Sequence, residues 1–331
     1  MKINILHVVP LNNKNSMPIF VKNQIEDLKK LDLNCEILPI KTSKLLNNIK
    51  YLYSKFIEIR QIIKKKDIKL VHCHWGSILS LFTGISAIKF CPVVITFRGS
   101  DINPVPSEFI LFSKLRGIFS QISVLFSTGV ICVSDQLSKK IFIKPKFLKT
   151  ILDGTNLKNF YPKNKTKLKK KLKWNLKKKI ILFYKGNEPK VKRLDLAKLV
   201  ANELKKKNPH SRLKVISRGF SQKKISDLIN ASDCLIMLSD YEGSPNIVRE
   251  ALSCNTPVVS FDVGDVKKWK KFYPQLKIVD RNIKNVVTFI IKSFSLKKNL
   301  RINPLTTFFS SKTSAIKIFL FYNKILKSNV I

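Results

Sequence analysis

The fold is decided by one stretch of the sequence, Asp240-Tyr241-Glu242-Gly243-Ser244-Pro245-Asn246-Ile247-Val248-Arg249-Glu250-Ala251-Leu252. It follows the apolar run Cys234–Ser239, whose length and composition are typical of a buried β-strand. Ser244 is suited to cap a helix, and Pro245 is suited to the first helical position. The stretch therefore predicts a strand, a loop that holds Glu242, and a helix that holds Glu250.

Similar apolar runs, rich in Ile and Val and not alternating, recur along the whole chain with helix-like patterns between them. Five of them come first: Ile3–Val9, Cys35–Ile40, Ile68–His72, Val93–Phe97 and Val130–Val133. Five more follow Pro162: Ile180–Tyr184, Leu213–Ser217, Cys234–Ser239, Pro257–Phe261 and Lys277–Val279. Such runs suit strands buried on both faces of a parallel sheet. This alternation of apolar runs and helical patterns, repeated in two sets, predicts an α/β protein with two doubly wound Rossmann-like domains.

The domain boundaries follow from where this alternation of strand and helix patterns stops and restarts. We expect an N-terminal domain over residues 1–160, a C-terminal domain over 161–303, and a final helical segment, 304–331, that packs back on the N-terminal domain. Two such sheets facing each other would leave a central cleft at the carboxyl ends of their strands. Ligands of open α/β sheets bind at those ends.

The composition is strongly basic. The 331 residues include 63 Lys and Arg against 21 Asp and Glu, a net charge of +42. The apolar content of 44% excludes a disordered chain. The positive electrostatic field of the protein attracts polyanions such as nucleic acid, anionic lipid or phosphorylated small molecules. A nucleic-acid-binding protein is one alternative, but interleaved aromatics, RNA-binding signatures and zinc spacing are missing.

The six cysteines contain no Cys-x-x-Cys pair, and no apolar stretch reaches the length of a membrane-spanning helix. We expect reduced thiols and a cytoplasmic protein.

The start of the helix after Ser244 offers free backbone N–H groups and a partial positive charge, which suit a diphosphate. Glu250 below could accept the two hydroxyls of a ribose, and Glu242 at the mouth could accept the hydroxyls of a sugar. The alternative is a surface turn that opens an ordinary helix, because two Glu eight residues apart are a weak motif by themselves. The intervening Gly243-Ser244-Pro245 and the following Thr256-Pro257-Val258-Val259 favour a nucleotide-sugar site.

The segment Glu242–Asp265 closely resembles the donor-binding signature of retaining glycosyltransferases of family 4, which have the two-Rossmann GT-B architecture. Gly99-Ser100-Asp101, Val130–Ser134 and Asp153-Gly154-Thr155-Asn156 resemble further pieces of that family in the same order. The resemblance implies a GT-B enzyme that moves a hexosyl unit from a nucleotide-sugar to a lipid-linked or polysaccharide acceptor with retention. It implies no metal ion at the donor and no cofactor.

The resemblance also implies roles for individual residues. Glu250 matches the carboxylate that binds the ribose, Glu242 the one that binds the donor sugar, and Lys192 the lysine that neutralises the diphosphate. Backbone contacts to sugar and phosphate are implied for Gly243, Ser244, Pro245 and Asn246. Gly186 and Asn187 belong to the same donor site.

Three departures from the family pattern concern charge and geometry. Asn187 follows Gly186 where the family often has arginine, so one phosphate cation is missing, and Lys185 or Arg193 is a candidate substitute. Arg98 stands where the family often has histidine, and it cannot act as a base near neutrality. Residues 15–18 replace a glycine-rich turn.

The candidate catalytic residues are Glu242, Lys192 and Arg98, and the candidate acceptor-side residues are Asp101, His74 and Ser100. Asp101 is either a general base or a residue that orients its loop. His7, His72 and His74 follow strands and are expected to point towards the cleft. His72 and His74 share a strand face without an evident third ligand, so a structural or acceptor-contacting role is favoured over a metal site.

Two further expectations complete the interpretation. The lysines of Lys163–Lys179, with Lys64, Lys65 and Lys66 and apolar neighbours such as Phe109, Leu111 and Phe112, are expected to bring the protein to the anionic inner face of the cytoplasmic membrane. The alternative is a solvated charged face that reflects the biased composition of the chain. The alternative enzymatic state is a degenerate family member that binds a nucleotide-sugar without catalysis.

Overall fold

The structure is a computed structural model that describes residues 2–11, 15–105, 108–186, 188–217 and 219–328. The chain forms two compact units. One consists of Met1–Gly154 together with Ser311–Ile331, and the other consists of Thr155–Ser310. The divisions after Gly154 and Ser310 lie six to seven residues from those placed by the sequence, at 160 and 303.

The first unit contains a parallel six-stranded sheet in the order β2-β1-β3-β4-β5-β6. Its strands are β1 (Ile3–Pro10), β2 (Leu33–Ile40), β3 (Leu70–Cys73), β4 (Val93–Phe97), β5 (Gly129–Cys132) and β6 (Phe147–Thr150). Its helices are α1 (Ile19–Leu28), α2 (Thr42–Asn47), α3 (Ile49–Lys65), α4 (Ile78–Ala87), α5 (Ile110–Ser123), α6 (Asp135–Ser138) and, from the end of the chain, Ser311–Lys327, with a 3-10 turn at Val124–Phe126.

The second unit contains a parallel five-stranded sheet in the order β11-β10-β9-β7-β8. Its strands are β7 (Lys179–Tyr184), β8 (Ser211–Ile216), β9 (Cys234–Met237), β10 (Val258–Ser260) and β11 (Leu276–Ile278). Its helices are α7 (Lys165–Lys171), α8 (Pro189–Lys192), α9 (Leu194–Lys207), α10 (Gln222–Ala231), α11 (Asn246–Ser253), α12 (Val266–Trp269) and α13 (Ile283–Ser293). A 3-10 segment, Pro304–Phe309, follows, and the chain-terminal helix Ser311–Lys327 is α14.

In the described part of the chain, ten of the eleven strands coincide with apolar runs of the sequence, and β6 is the exception. It is the edge strand next to β5, and its two central residues are exposed. The sequence criterion selected strands buried on both faces, so a half-exposed edge strand escaped it. The two-domain α/β prediction is confirmed.

Both sheets are wound in the same way. Numbered within each unit, the strands follow the order 2-1-3-4-5, with β6 added at the edge of the first unit. In this winding the direction of the crossovers reverses between strands 1 and 3, which opens a crevice at their carboxyl ends. The crevices therefore lie next to β1 and β3 in the first unit and next to β7 and β9 in the second.

Helix α14 completes the core of the first unit. On one face of the sheet, Ile5, Leu70 and Val94 pack together with Ile318 and Tyr322 of α14. All of these side chains are buried, and Tyr322 is fully so. The last helix of the sequence thus covers the strands at the start of the chain.

Four lysines near α7 are engaged inside the second unit. Lys163 and Lys171 bind Asp227, at 3.0 and 2.7 Å, and Lys165 and Lys169 bind Asp233, at 2.7 and 2.9 Å. Burial of Asp233 disfavours its charge, but hydrogen bonds from Lys165, the Ile180 N–H and Lys169 bring its pKa below the usual range. These ion pairs tie the region of α7 to Asp227 of α10 and to Asp233 before β9, and they take up part of the positive charge of the segment Lys163–Lys179.

Candidate functional site

The second crevice holds an ion pair between two residues singled out from the sequence. Glu242 lies in the loop after β9, and its Oε1 accepts hydrogen bonds from Lys192 Nζ and from Ser239 Oγ, the latter at 2.7 Å. Lys192 is the last residue of α8, after β7. The two side chains are largely buried. Adjacent strands thus bring an acid and a base from 50 positions apart into contact.

The turn that leads to Lys192 depends on its backbone conformation. Gly186 has φ +57°, in the left-handed region that favours glycine. Asn187 lies outside the described residues. Arg193 also has a left-handed φ, and its guanidinium binds Asp195 and Asp240. One of the two suggested substitutes for the missing phosphate cation, Arg193, is therefore already engaged by two carboxylates.

Helix α11 begins at Asn246, and Pro245 rather than Ser244 occupies the N-cap position. The prediction that Ser244 caps the helix is wrong because its hydroxyl has other partners. Ser244 Oγ donates to Asp265 Oδ2 at 2.8 Å and accepts from the guanidinium of Arg249. Residues Gly243–Asn246, called the donor loop below, therefore enter α11 without a side-chain cap.

Glu250 lies on α11. Its carboxylate forms no hydrogen bond with any residue that the structure describes. Burial raises its pKa to about 7, although the neighbouring positive charge of Arg249 opposes the shift. An unpaired carboxylate with a raised pKa near a crevice is typical of a functional site. Two acceptor oxygens remain for a ligand with adjacent hydroxyls.

Arg98 follows β4 in the first unit and is almost fully enclosed. Its guanidinium binds Asp153, lies 3.3 Å from His74 Nδ1 and donates to Gln24 Oε1 at 3.4 Å. Phe20 covers it from one side, with 4.6 Å between guanidinium carbon and ring centroid. The sequence did not predict that Asp153 and Gln24 contact Arg98, because each lies more than 50 residues from it.

His7, His72 and His74 lie together and are completely buried. No third ligand beside His72 and His74 was evident from the sequence, but the pairing of β1 with β3 brings His7 opposite His72. Nitrogen atoms from the three rings all lie within 4.8 Å of one another. Burial lowers the pKa of His7 to about 3 and those of the other two well below their usual value.

Hydrogen bonds assign the tautomers of His74 and His7 in this cluster. A guanidinium only donates, so His74 Nδ1 accepts from Arg98. Neutral His74 then carries its proton on Nε2 and donates to His7 Nδ1, 2.9 Å away. His72 is held between Tyr322 Oη at 2.5 Å and Thr96 Oγ1 at 2.6 Å. Hydroxyl, imidazole and guanidinium partners thus make the cluster a hydrogen-bonded network.

Asp101 orients its loop. Its carboxylate accepts from the backbone N–H groups of Gly99 at 2.7 Å, Arg98 at 2.8 Å and Gly76 at 3.2 Å. Burial raises its pKa, and these three donors oppose the shift. Ser100, next to it, is exposed. Of the two roles considered for Asp101, loop orientation has the contacts to support it.

Comparisons with known proteins agree with this geometry. The family of glycosyl transferases group 1 matches residues 167–272, and the glycosyl transferase 4-like family matches residues 13–134. The chain is a GT-B glycosyltransferase of this group. The match in the second unit contains Lys192, Glu242, Glu250 and Asp265. Among the described residues, no helix has the length and apolar character needed to span a membrane.

Solved structures of glycosyltransferases share the fold. Sucrose-phosphate synthase from Thermosynechococcus elongatus aligns with a TM-score of 0.76 at 14% identity, covering 99% of this chain and 100% of that one. HepE from Anabaena, in complex with UDP and glucose, aligns with a TM-score of 0.71 at 13% identity, covering 96% and 99%.

A curated relative, N-acetyl-alpha-D-glucosaminyl L-malate synthase from Bacillus anthracis, is 24% identical over 241 residues. The match covers 65% of this chain and 61% of the length of that protein.

Proposed function

We propose that this glycosyltransferase moves a hexosyl unit from a nucleotide-sugar to a lipid-linked or polysaccharide acceptor, with retention and without a metal ion at the donor. The observation that carries the proposal is the second crevice. It combines the Lys192–Glu242 ion pair, the start of α11 and the unpaired carboxylate of Glu250. The complex of HepE with UDP and glucose supports a nucleotide-sugar as the ligand of such a fold.

The resting ion pair suggests how the donor enters. The diphosphate replaces Glu242 as the partner of Lys192, and the freed Glu242 accepts hydroxyls of the sugar. The backbone N–H groups at the start of α11 share the phosphate charge. Glu250 accepts the ribose hydroxyls, so each charged part of the donor meets a group of opposite charge or a hydrogen-bond partner.

In the reaction, the acceptor oxygen forms a bond to the anomeric carbon while the bond from that carbon to the phosphate oxygen breaks. The acceptor hydroxyl proton passes to the departing phosphate oxygen on the same face of the sugar, which preserves the anomeric configuration. The negative charge that builds on the diphosphate is stabilised by Lys192 and the helix N–H groups. Arg98, bound to Asp153 and His74, holds the acceptor-side loop in place rather than acting as a base.

A panel of nucleotide-sugars tests the function. UDP-glucose, UDP-galactose, UDP-N-acetylglucosamine, GDP-mannose and ADP-glucose are each added at about 100 times the dissociation constant found by titration. The true donor should raise the free energy of unfolding by about 2.7 kcal/mol. Release of nucleoside diphosphate with acceptor present identifies an active enzyme, whereas binding without release identifies a non-catalytic member. Binding of no panel member contradicts the proposal.

We also propose that the first unit binds the anionic inner face of the cytoplasmic membrane through the start of α5. Phe109, Ile110, Leu111 and Phe112 are each more than half exposed there, with Phe109 71% exposed. Apolar side chains inserted at the headgroup level add to the attraction between a +42 chain and anionic lipid.

Co-sedimentation with vesicles tests the membrane proposal. Wild-type protein should bind vesicles that contain phosphatidylglycerol, release them as salt rises, and ignore neutral vesicles. Phe109→Ser/Phe112→Ser should weaken binding several-fold, whereas Leu199→Ser, a matched change of an exposed leucine on α9, should not. Tight binding to duplex DNA or RNA at physiological salt without vesicle binding would contradict the proposal.

A further inference from the structure

A buried charge pair lies behind the donor loop. Arg249, on α11 immediately before Glu250, and Asp265, in the loop after β10, have side chains that are each only 1% exposed. Arg249 Nη1 lies 3.5 Å from Asp265 Oδ2. Two charges removed from water are often no more stable than an apolar pair of similar size. Stability alone therefore does not account for charges at this position.

The pair holds both ends of the donor loop. Asp265 Oδ2 accepts from Ser244 Oγ at 2.8 Å, and the guanidinium of Arg249 donates to Ser244 Oγ and to Asn246 Oδ1. Both polar side chains of the loop, on Ser244 and Asn246, are thus engaged by one buried pair. Charge-assisted hydrogen bonds of this kind are stronger and more directional than neutral ones.

The backbone supports the same loop from the other side. Gly264, next to Asp265, has φ +59°, and a Cβ there would lie 2.8 Å from the carbonyl oxygen of Gly243. It would also lie 3.2 Å from Pro245 Cδ. The loop after β10 therefore approaches the donor loop as closely as a glycine allows, which leaves Gly243–Asn246 little freedom to move.

We propose that Arg249 and Asp265 are positioning residues that hold the donor loop in the conformation required for sugar transfer. The inference rests on the proposed function. It also predicts a division of labour along α11. Glu250 binds the nucleotide from the helix, which Ile247, Val248, Ala251 and Leu252 anchor in the core, whereas the charge pair sets the loop that meets the sugar.

The double variant Arg249→Met/Asp265→Leu tests this division, with UDP-glucose and UDP as probes. If the wild type prefers another panel member, that donor and its nucleoside diphosphate replace them. Because both charges leave together, the variant should fold with a Tm close to that of wild type. Its kcat/KM should fall about 10²-fold, the loss expected from slight misplacement of reacting groups. Its Kd for UDP should stay within about threefold of wild type, since α11 keeps its core anchors.

The single variant Asp265→Asn sharpens the test because it leaves the charge of Arg249 buried without its carboxylate. It should have a lower Tm than the double variant. The matched control is Lys206→Gln/Glu203→Gln, which removes an exposed pair on α9 and should change neither kinetics nor Tm.

Two results overturn the inference while the wild type still binds and transfers. One is a folded double variant with wild-type kcat/KM, and the other is an equal loss of UDP affinity and turnover, which would make the pair a support of the whole helix. If the double variant does not fold, the single variant Asp265→Asn decides. Its kcat/KM should fall more than its affinity for UDP, and equal losses would contradict the inference. A wild type that binds no panel member would instead show that the proposed function itself fails.

Discussion

The two sheets share one winding but have different chemistry at their crevices. In the second unit the crevice carries a Lys192–Glu242 ion pair and the carboxylate of Glu250, and these three residues are partly exposed to solvent. In the first unit the same place is filled by neutral imidazoles with no exposure to solvent. The comparison teaches that this fold supplies the location, whereas the residues at the strand ends decide whether it binds a ligand or fixes a core.

The two regions also differ in how far apart their residues lie in the sequence. Ser239, Glu242, Ser244 and Glu250 belong to one strand–loop–helix segment. His72 and Tyr322, in contrast, are 250 positions apart, and His7 is 67 positions from His74. A short segment can be recognised as a motif, whereas the imidazole network exists only once the sheet and α14 have assembled.

The largest expected effect is acid destabilisation of the first unit. Its three buried imidazoles have lowered pKa values, so they stay neutral in the folded state but take up protons in the unfolded state below pH 6.5. Their contribution to stability is complete above pH 6.5 and is lost progressively as the pH falls below it, for His7 down to about pH 3. Three groups give a loss of up to about 4 kcal/mol per pH unit, which Asp101, with its raised pKa, partly offsets.

Hydrogen exchange of β1 and β3 between pH 7.5 and 5, corrected for intrinsic rates, measures this loss. His7→Gln should reduce the slope by about a third. His210→Gln, a change of the exposed histidine in the second unit, should leave it unchanged. A flat stability of the first unit over this range would show that the imidazoles are not held neutral.

The next effect concerns catalysis in the second unit. Lys192→Ala should reduce kcat about 10²–10³-fold, because the leaving diphosphate loses a preorganised cation. Lys190→Ala, an exposed lysine on the same helix, is the matched control and should keep the wild-type rate. Release of nucleoside diphosphate measures both. Activity that disappears with a chelator and returns with magnesium would instead place the stabilising charge on a metal ion.

The smallest expected effect concerns a side chain of the first unit that should change stability without changing donor binding. Tyr322→Phe removes the hydroxyl that contacts His72 and should lower the free energy of unfolding by about 1–3 kcal/mol. Denaturant titration measures this loss, and Tyr53→Phe, at an exposed position, should change it little. The affinity for the nucleotide-sugar should stay the same in both variants. A weaker donor affinity in Tyr322→Phe would show that the imidazole network of the first unit does influence donor binding.

The sequence predicted the sheets and the donor loop, because buried parallel strands and the Glu242–Asp265 segment are local patterns. It missed the edge strand β6, whose central residues are exposed, and the engagement of Arg193, whose partner Asp240 is 47 positions away. It also misjudged Ser244, because the sequence alone does not show whether a serine caps the next helix or binds a distant carboxylate such as that of Asp265. Contacts between distant segments depend on packing that local patterns do not record.

Glu250 offers the most direct test of the central claim that the second crevice binds a nucleotide-sugar. The measurement is the Kd of the best panel member at pH 6 and pH 8, for wild type and Glu250→Gln. With a pKa of about 7, Glu250 ionises over this range, so wild-type affinity should rise about tenfold from pH 6 to pH 8. Glu250→Gln should bind more weakly at pH 8 and show little dependence on pH. Equal affinities of wild type and Glu250→Gln at pH 8 would contradict the account.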